Sequence, residues 1–220
     1  MNYVAIIPAR AGSKRIKNKN LFKINGKYLF DYTLKAAKKC KKISKIIVST
    51  NIKKIIKKNT SRVFYLNRPD YLCKDNSSTE SAILHILNNM KSFFYKKDVN
   101  IILLQPTSPL RTEYDINKAI NIFEKNNYDS LLSAYEENFF LWKKKNKKII
   151  PYNYLLKKRI RGQNKKSYYV ENGAIFIFSA TLFKVYKNRL FRKIGISLMS
   201  KRKSLEIDTH EDIKLLKMYI

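Results

Sequence analysis

Short apolar runs alternate with amphipathic stretches along the first third of the chain. The runs at 4–8, 46–50 and 62–66 are rich in apolar and β-branched residues, which favours strands. The apolar spacing over 27–42 is that of an amphipathic helix, and a short basic helix is predicted over 51–58, with an asparagine as its N-cap. Because strands and helices alternate, the pattern predicts a parallel sheet with crossover helices.

The rest of the chain continues this alternation. Strands are predicted at 99–104, 129–135 and 168–178, and helices at 78–91, from Thr112 onward and at 210–218. The lysine-rich segment at 139–154 favours a β-hairpin. We therefore predict one α/β domain over 1–220, with a mostly parallel central sheet flanked by helices and a small excursion at about 136–170.

The charge balance is strongly basic, with 47 Lys plus Arg against 16 Asp plus Glu and a formal net charge of +31. Such a balance is typical of proteins that bind polyanions. The lysines are spread along the whole chain, however, and the basic runs at 35–39 and 53–58 have the spacing of solvated helix faces. We therefore interpret the charge as a composition bias and do not expect nucleic acid as the partner.

The two cysteines, Cys40 and Cys73, are far apart and match neither a metal-binding pattern nor a disulfide framework. This usage is typical of a reducing, cytoplasmic location. The chain begins with a core strand, and no apolar run approaches the length needed to cross a membrane. We therefore expect a cytoplasmic protein without a signal peptide or a membrane partner.

A basic loop follows the first strand, which ends at Pro8. It carries five cations around Gly12 and Ser13, namely Arg10, Lys14, Arg15, Lys17 and Lys19. In so basic a chain this density alone says little. The order of strand, proline and glycine-containing basic loop is more specific, because α/β proteins place phosphates outside the carboxyl end of a strand. The loop matches neither the Walker nor the dinucleotide pattern, and we interpret it as a polyphosphate-binding loop.

Polar side chains also follow the strand at 99–104, in the segment Gln-Pro-Thr-Ser-Pro-Leu-Arg at 105–111. Two prolines stiffen this loop, which presents an amide, two hydroxyls and a guanidinium where such sheets bind ligands. A polyhydroxylated sugar acid requires groups of this kind. The alternative is that the segment only leads into a helix, with Thr112 as N-cap and Glu113 in the first turn.

Two carboxylates stand close together near the C-terminal helix. Alternate residues of an extended segment share a face, so Glu206 and Asp208 are expected to point the same way. Two carboxylates on one face can hold Mg²⁺. The alternative is that Asp208 and Thr209 are an ordinary cap for the helix that follows.

Four of these segments closely resemble the acylneuraminate cytidylyltransferases, the family of the CMP-sialic, CMP-legionaminic and CMP-pseudaminic acid synthetases. The resemblance lies in Ile-Pro-Ala-Arg-Ala-Gly-Ser-Lys-Arg-Ile at 7–16 with Lys-Asn-Leu at 19–21, the loop at 105–111, Asn-Gly-Ala-Ile-Phe at 172–176 and Glu-Ile-Asp-Thr at 206–209. Three departures are visible. The family usually has Pro-Gly at Lys17-Asn18, Asp at Glu206 and Leu-Pro after Arg161-Gly162-Gln163.

The resemblance implies a Rossmann-like nucleotidyltransferase fold, a homodimer whose partner reaches the active site through the excursion, and catalysis with Mg²⁺, or Mn²⁺ in its place. The substrates implied are CTP and a nonulosonic acid. The nucleotide would contact Arg10, Ala11, Gly12, Ser13, Lys19, Asn20 and, at the base, Arg68. The sugar would contact Gln105, Thr107, Ser108, Arg111, Arg161, Gln163 and Asn172. The catalytic group would be Arg10, Lys14, Lys19 and Asp208, with Asp208 and Glu206 on the metal.

Two other functions stay open. One is an enzyme of the same fold that acts on 3-deoxy-manno-octulosonic acid. The other is a degenerate, non-catalytic protein that binds nucleic acid through its basic surface, which the departures at Glu206 and Lys17-Asn18 would suit. No side chain stands out in the sequence as a general base.

Overall fold

The computed structural model of the protein describes residues 2–95, 99–157 and 167–220. The strands are β1 (Asn2–Pro8), β2 (Lys23–Ile24), β3 (Lys27–Tyr28), β4 (Ile43–Thr50), β5 (Val63–Asn67), β6 (Val99–Leu104), β7 (Ser130–Glu137), β8 (Trp142–Lys145), β9 (Lys148–Pro151), β10 (Tyr168–Ser179) and β11 (Ile194–Leu198). The helices are α1 (Leu29–Lys39), α2 (Thr79–Asn89), α3 (Lys91–Tyr95), α4 (Glu113–Lys125), α5 (Ala180–Tyr186) and α6 (His210–Tyr219).

Seven of the strands form one sheet in the order β11-β7-β10-β6-β1-β4-β5. Every neighbouring pair is parallel except the two pairs made by β10. The predicted mostly parallel sheet is therefore confirmed. Since β1 and β6 are adjacent and parallel, the loops that follow them leave the sheet at the same edge.

Helices cover both faces of this sheet. Phe30 and Leu34 of α1 and Ile116 of α4 pack on one face, whereas Ile83 of α2 and Phe183 of α5 pack on the other. Each sheet face and its helices form one buried apolar cluster. This arrangement explains why β1 and β6 are apolar on both sides.

A third, smaller cluster lies at the edge where the loops emerge. Ile16 of the basic loop packs there with Leu29, Ile207 and Ile213. Ile207 stands between the two carboxylates and is fully buried. Apolar packing therefore holds the basic loop against the segment that carries Glu206 and Asp208.

The predicted helix over 51–58 is wrong, because the structure has only a single turn there. Ile52 and Ile55 are buried and close that turn, with Ile55 N–H donating to the Ile52 carbonyl at 2.9 Å. Further helical turns would stack Lys53 on Lys57, and such like charges four residues apart oppose a helix. One turn is also too short to be stable on its own.

The predicted hairpin is confirmed, since β8 pairs antiparallel with β9. Its two turn residues, Asn146 and Lys147, both have positive φ, which suits the right-handed twist of the strands. Residues at the hairpin are apolar and exposed, including Trp142 and Ile149. Among the helices of 2–95, 99–157 and 167–220, none is long and apolar enough to cross a membrane.

Candidate active site

The basic loop leaves the sheet at the carboxyl end of β1, as predicted, and two asparagines hold its backbone. Ala11 N–H donates to Asn51 Oδ1 at 2.8 Å, and the buried Asn20 donates from Nδ2 to the Arg10 carbonyl at 2.9 Å. With its main chain fixed in this way, the loop lines a cavity of about 280 Å³ together with two carboxylates. The lining residues are Arg10, Ser13, Lys14, Arg15, Lys19, Asp75 and Asp208.

Asp208 faces the loop across this cavity. Lys19 Nζ donates to Asp208 Oδ1 and to the Ile207 carbonyl, both at 2.7 Å, and Arg15 donates to Asp208 Oδ2 at 3.0 Å. The cap of α6 is Thr209, whose hydroxyl pairs with Asp212. The Asp208 carboxylate is therefore not used as the helix cap and is directed to the cations of the loop.

Glu206 is more enclosed than Asp208. Thr107 Oγ1 donates to Glu206 Oε1 at 3.2 Å, and a Cβ built on Gly173 would lie 3.6 Å from Glu206 Oε2. Burial raises the pKa of the Glu206 carboxyl above its ordinary value, and the nearby charge of Asp208 raises it further. The two carboxylates are thus close enough to repel each other.

This pair has the chemistry that a magnesium site requires. Carboxylate oxygens are hard ligands, and Mg²⁺ needs only one or two of them when phosphates and waters complete its shell. A divalent cation near Glu206 and Asp208 would also relieve their mutual repulsion. The residues present therefore fit the ion that the resemblance implies.

A third carboxylate, Asp75, pairs with the outer cations of the basic loop. Lys14 Nζ lies 2.9 Å from Asp75 Oδ2, and Arg10 lies 3.1 Å from Oδ1 while also donating to the Cys73 carbonyl at 2.8 Å. The hydrogen bonds from Lys14 and then Arg10 hold the pKa of Asp75 below its usual range. Asp75 was not among the predicted site residues, although it is one of few acids in this basic chain and precedes a predicted helix.

Arg68 forms one wall of a neighbouring cavity of about 190 Å³. Its guanidinium is buried and donates from Nε to Ser49 Oγ at 3.0 Å and from Nη2 to the Ser49 carbonyl at 2.9 Å. Burial lowers its pKa from the ordinary value. The same cavity is lined by Pro8, Arg10, Ser13, Lys19, Asn20, Ser77, Ser78, Thr79, Gln105, Pro106 and Thr107. The structure thus joins three predicted segments, the basic loop, Arg68 and the 105–111 loop, around one space.

The loop at 105–111 divides into exposed and buried parts. Gln105 and Thr107, two of the predicted sugar contacts, line the cavity. Ser108 and Arg111 are only 1% and 2% exposed and lie beneath the loop. Thr112 caps α4 with Asp115, so the helix start considered as the alternative is also present. The structure therefore does not bring Ser108 and Arg111 to the cavity surface.

Asn172 is likewise turned into the protein. Its Oδ1 accepts hydrogen bonds from Ser133 Oγ at 2.6 Å and from Ala174 N–H at 3.1 Å, and its Nδ2 donates to Ser204 Oγ at 2.8 Å. A β-bulge lies at this Asn-Gly, because the pairing of β10 with β7 shifts register between Glu171 and Phe176. With these partners Asn172 holds the bulge rather than facing a substrate.

Two predicted sugar contacts, Arg161 and Gln163, lie outside the described residues. At the Lys17-Asn18 departure, Asn18 has φ 54° and ψ 38°, in the left-handed region. Asparagine is the residue that adopts this region most readily after glycine. The backbone conformation that glycine favours is therefore kept at this position.

The fold and this edge of the sheet define an α/β protein with a basic loop, a cavity beside Arg68 and a pair of carboxylates. Residues 4–219 match a family model described as cytidylyltransferase. The chain belongs to the cytidylyltransferase family.

Its sequence relatives confirm the resemblance. The N-acylneuraminate cytidylyltransferase of Escherichia coli O18:K1:H7 is 32% identical over 96% of this chain and 50% of its own length. The post-translational flagellin modification protein B of Campylobacter coli is 28% identical over 97% of this chain and 93% of its own. The CMP-N,N'-diacetyllegionaminic acid synthase of Legionella pneumophila is 34% identical over 56% of this chain and 53% of its own. The chain thus spans about half the length of the E. coli relative.

Solved structures confirm the fold. A CMP:2-keto-3-deoxy-manno-octonic acid synthetase complexed with CTP superposes with a TM-score of 0.69 at 14% identity, covering 100% of this chain and 98% of the other. The 4-diphosphocytidyl-2C-methyl-D-erythritol synthase of Anaerococcus prevotii gives 0.68 at 16% identity, covering 99% and 97%. At such identities the likeness is one of fold, and it agrees with the predicted nucleotidyltransferase architecture.

Proposed function

We propose that the protein transfers CMP from CTP to the anomeric hydroxyl of a nonulosonic, sialic-type acid and releases pyrophosphate. The observation that carries this proposal is the meeting of three segments at one sheet edge. Lys19 of the basic loop contacts Asp208, and Thr107 of the 105–111 loop contacts Glu206. Relatives named for CMP transfer to sialic and legionaminic acids support this choice of acceptor.

In this proposal the basic loop holds the triphosphate. Arg10, Lys14 and Lys19 supply cations, and Ser13 supplies a hydroxyl in the same cavity. The anomeric hydroxyl oxygen bonds to the α-phosphorus and gives its proton to water in the cleft, while the bond from that phosphorus to the bridging oxygen of the β-phosphate breaks and its electron pair leaves with the pyrophosphate. Cations already in place stabilise the charge that develops on the departing pyrophosphate.

Asp208 and Glu206 would hold Mg²⁺, or Mn²⁺ in its place. When bound, such an ion neutralises charge on the phosphate oxygens and orients them. The protein's own contribution is to fix the carboxylates: Lys19 and Arg15 orient Asp208, and Thr107 orients Glu206. Holding the reacting groups in this way is the main catalytic need in phosphoryl-type transfer.

The neighbouring cavity suits the cytosine and the acceptor. The buried Arg68 guanidinium would donate to the acceptor-rich edge of the base, and Gln105 and Thr107 would bind the sugar. We propose a homodimer, which the exposed Trp142 of the hairpin supports. We also propose a cytoplasmic location, which the free thiols of the cysteines support.

A panel assay tests the function. Purified protein is incubated with CTP and Mg²⁺ and, in turn, with sialic, legionaminic, pseudaminic and 3-deoxy-manno-octulosonic acids, and both pyrophosphate and CMP-sugar are measured. We expect turnover with at least one nonulosonic acid and its loss in Asp208→Asn. Asp129→Asn is the charge-matched control, because Asp129 accepts from Lys193 N–H at the amino end of β7.

Other outcomes would overturn the proposal. Turnover restricted to 3-deoxy-manno-octulosonic acid would replace the acceptor class. Absence of any CMP-sugar, together with retention on RNA that falls steeply with salt, would favour the non-catalytic nucleic-acid-binding function. Full activity of Asp208→Asn would refute the metal assignment.

A further inference from the structure

Arg111 is enclosed by the protein, and its guanidinium joins three separate segments. Nη1 donates to the Gln105 carbonyl at 3.1 Å and to the Ala174 carbonyl at 2.7 Å, and Nη2 donates to Thr33 Oγ1 at 2.6 Å. These acceptors belong to the loop after β6, to β10 and to α1. One side chain therefore fixes the relative positions of the loop after β6, of β10 and of α1.

Two of the segments that Arg111 joins, the loop after β6 and β10, lie beside Glu206. A Cβ on Gly173, the residue before Ala174, would lie 3.6 Å from Glu206 Oε2 and 3.8 Å from Gln105 Nε2. Two residues after Gln105, Thr107 donates to Glu206 from its hydroxyl. The Thr107 carbonyl also accepts from Ile207 N–H at 2.8 Å. A shift of this loop would thus move the segment that carries both carboxylates.

Stability alone does not explain a guanidinium at this place. Burial lowers the pKa of Arg111, which reflects the cost of removing its charge from water. Its hydrogen-bond acceptors are neutral, the only charge that favours the cation is that of Asp115 nearby, and Nε is buried without a partner among the described residues, so the guanidinium is only partly compensated. What a guanidinium adds is a rigid planar fork whose donors have fixed directions.

We propose that Arg111 is a positioning residue of the transfer reaction, setting the separation of the Gln105 and Ala174 backbones and thereby the placement of Glu206 and Asp208. The inference rests on the proposed function for its kinetic consequence. It assigns Arg111 no contact with the sugar. Its effect reaches the reacting groups through the 105–107 loop.

Kinetic and metal-binding measurements on Arg111→Met test this role against Arg62→Met. Arg62 is a matched control, because it also donates to three backbone carbonyls, those of Lys38, Cys40 and Ile43, but at the amino end of the sheet. We expect Arg111→Met to lower kcat by about 100-fold, the scale of a misplacement of about 1 Å, while KM for CTP changes by less than about threefold. Arg111→Lys, which keeps the charge but lacks the fork, should stay below a tenth of wild-type kcat.

Titration with Mn²⁺ alone, followed by electron paramagnetic resonance, gives a readout that needs no turnover. We expect weaker Mn²⁺ binding in Arg111→Met and unchanged binding in Arg62→Met. Urea unfolding of both variants measures stability. Equal losses of activity or of Mn²⁺ affinity in the two variants, in proportion to stability, would overturn the proposal, and so would full activity of Arg111→Lys.

If Arg111→Met does not fold, a milder variant can be measured in its place. Thr33→Val removes one acceptor of the guanidinium, together with the long hydrogen bond of 3.4 Å from Thr33 Oγ1 to the Gln105 carbonyl, and leaves the guanidinium in place. It should lower kcat and Mn²⁺ affinity in the same direction as Arg111→Met by a smaller factor. Unchanged values would contradict the proposal. If the wild type transfers no CMP, the proposed function fails, whereas the Mn²⁺ titration still decides whether Arg111 positions the carboxylates.

Discussion

Lys19 Nζ lies 2.7 Å from Asp208 Oδ1, although the two residues are 189 positions apart in the chain. The Lys19 side chain is 13% exposed and the Asp208 side chain 37%, so the contact stands at the inner end of the cleft. It joins the first loop of the fold to the last carboxylate before α6. This contact therefore ties the basic loop to the segment that carries the carboxylates, at the wall of the candidate triphosphate site.

Replacing Lys19 by glutamine should lower kcat/KM for CMP transfer by about 100-fold or more. The variant loses a preorganised cation next to the departing pyrophosphate, and removing one such donor typically costs this much. Steady-state pyrophosphate release measures the effect. Lys17→Gln removes the same charge from an exposed neighbour that, within the described part of the chain, forms no ion pair. Equal losses in the two variants would show that only the net charge of the loop matters.

Replacing Asp75 by asparagine should tighten CTP binding about three- to fivefold. Asp75 pairs with Lys14 and Arg10, the cations proposed for the triphosphate, and exposed pairs of this kind are weak enough to be displaced at modest cost. Calorimetric titration with CTP measures the change. Asp129→Asn, with the same change in charge away from the cleft, should leave the affinity unaltered.

The pH dependence of this effect follows from the lowered pKa of Asp75. A carboxylate with a depressed pKa keeps its ion pairs above its ordinary pKa and loses them only as the pH falls through the lowered value. The ratio of wild-type to Asp75→Asn dissociation constants should therefore stay constant between about pH 6.5 and 8. A ratio that approaches one within this range would contradict the competition between Asp75 and CTP.

Sequence reasoning found the sheet and the segments at its edge, because buried parallel strands are long apolar runs and their loops carry the polar motifs. The helix predicted over 51–58 is wrong. The residue spacing favours a helix, but a single turn is enough to bury both isoleucines. Sequence reasoning could place Glu206 and Asp208 near each other, since they are two residues apart. It could not show that Lys19 and Thr107 hold them, because those contacts join distant parts of the chain.

Sequence reasoning also could not predict which way the polar side chains of a motif point. Arg111 and Asn172 were predicted to contact the sugar, yet both are buried and bonded to protein groups. A motif gives the residue type without the direction of its side chain. The acceptors of Arg111 belong to residues 33, 105 and 174, and only the assembled sheet brings those positions together.

Asn18 should be replaceable by glycine but not by alanine. Its left-handed backbone suits glycine and asparagine, whereas alanine, which has a Cβ but no polar group to bond locally, costs about 1–2 kcal/mol there. We expect Asn18→Gly to keep the free energy of unfolding within about 0.5 kcal/mol and Asn18→Ala to lose about 1 kcal/mol. Urea unfolding measures both. Asn76→Ala is the control, since Asn76 is an exposed turn residue outside the left-handed region, and an equal loss there would refute the backbone argument.

Replacing Gly173 by alanine should harm catalysis more than its loss of stability explains. Its φ of +65° matches the +74° of Gly26, so Gly173→Ala and Gly26→Ala should lose similar stability, about 1–2 kcal/mol each. The two sites differ in their surroundings, because a Cβ at Gly26 meets nothing within 4 Å whereas one at Gly173 would fill the gap between Glu206 and Gln105. We therefore expect kcat to fall at least about tenfold in Gly173→Ala and to stay near wild type in Gly26→Ala. Unfolding curves and pyrophosphate release on the same preparations separate the two effects, and an active Gly173→Ala enzyme would show that this gap is not needed by the substrates.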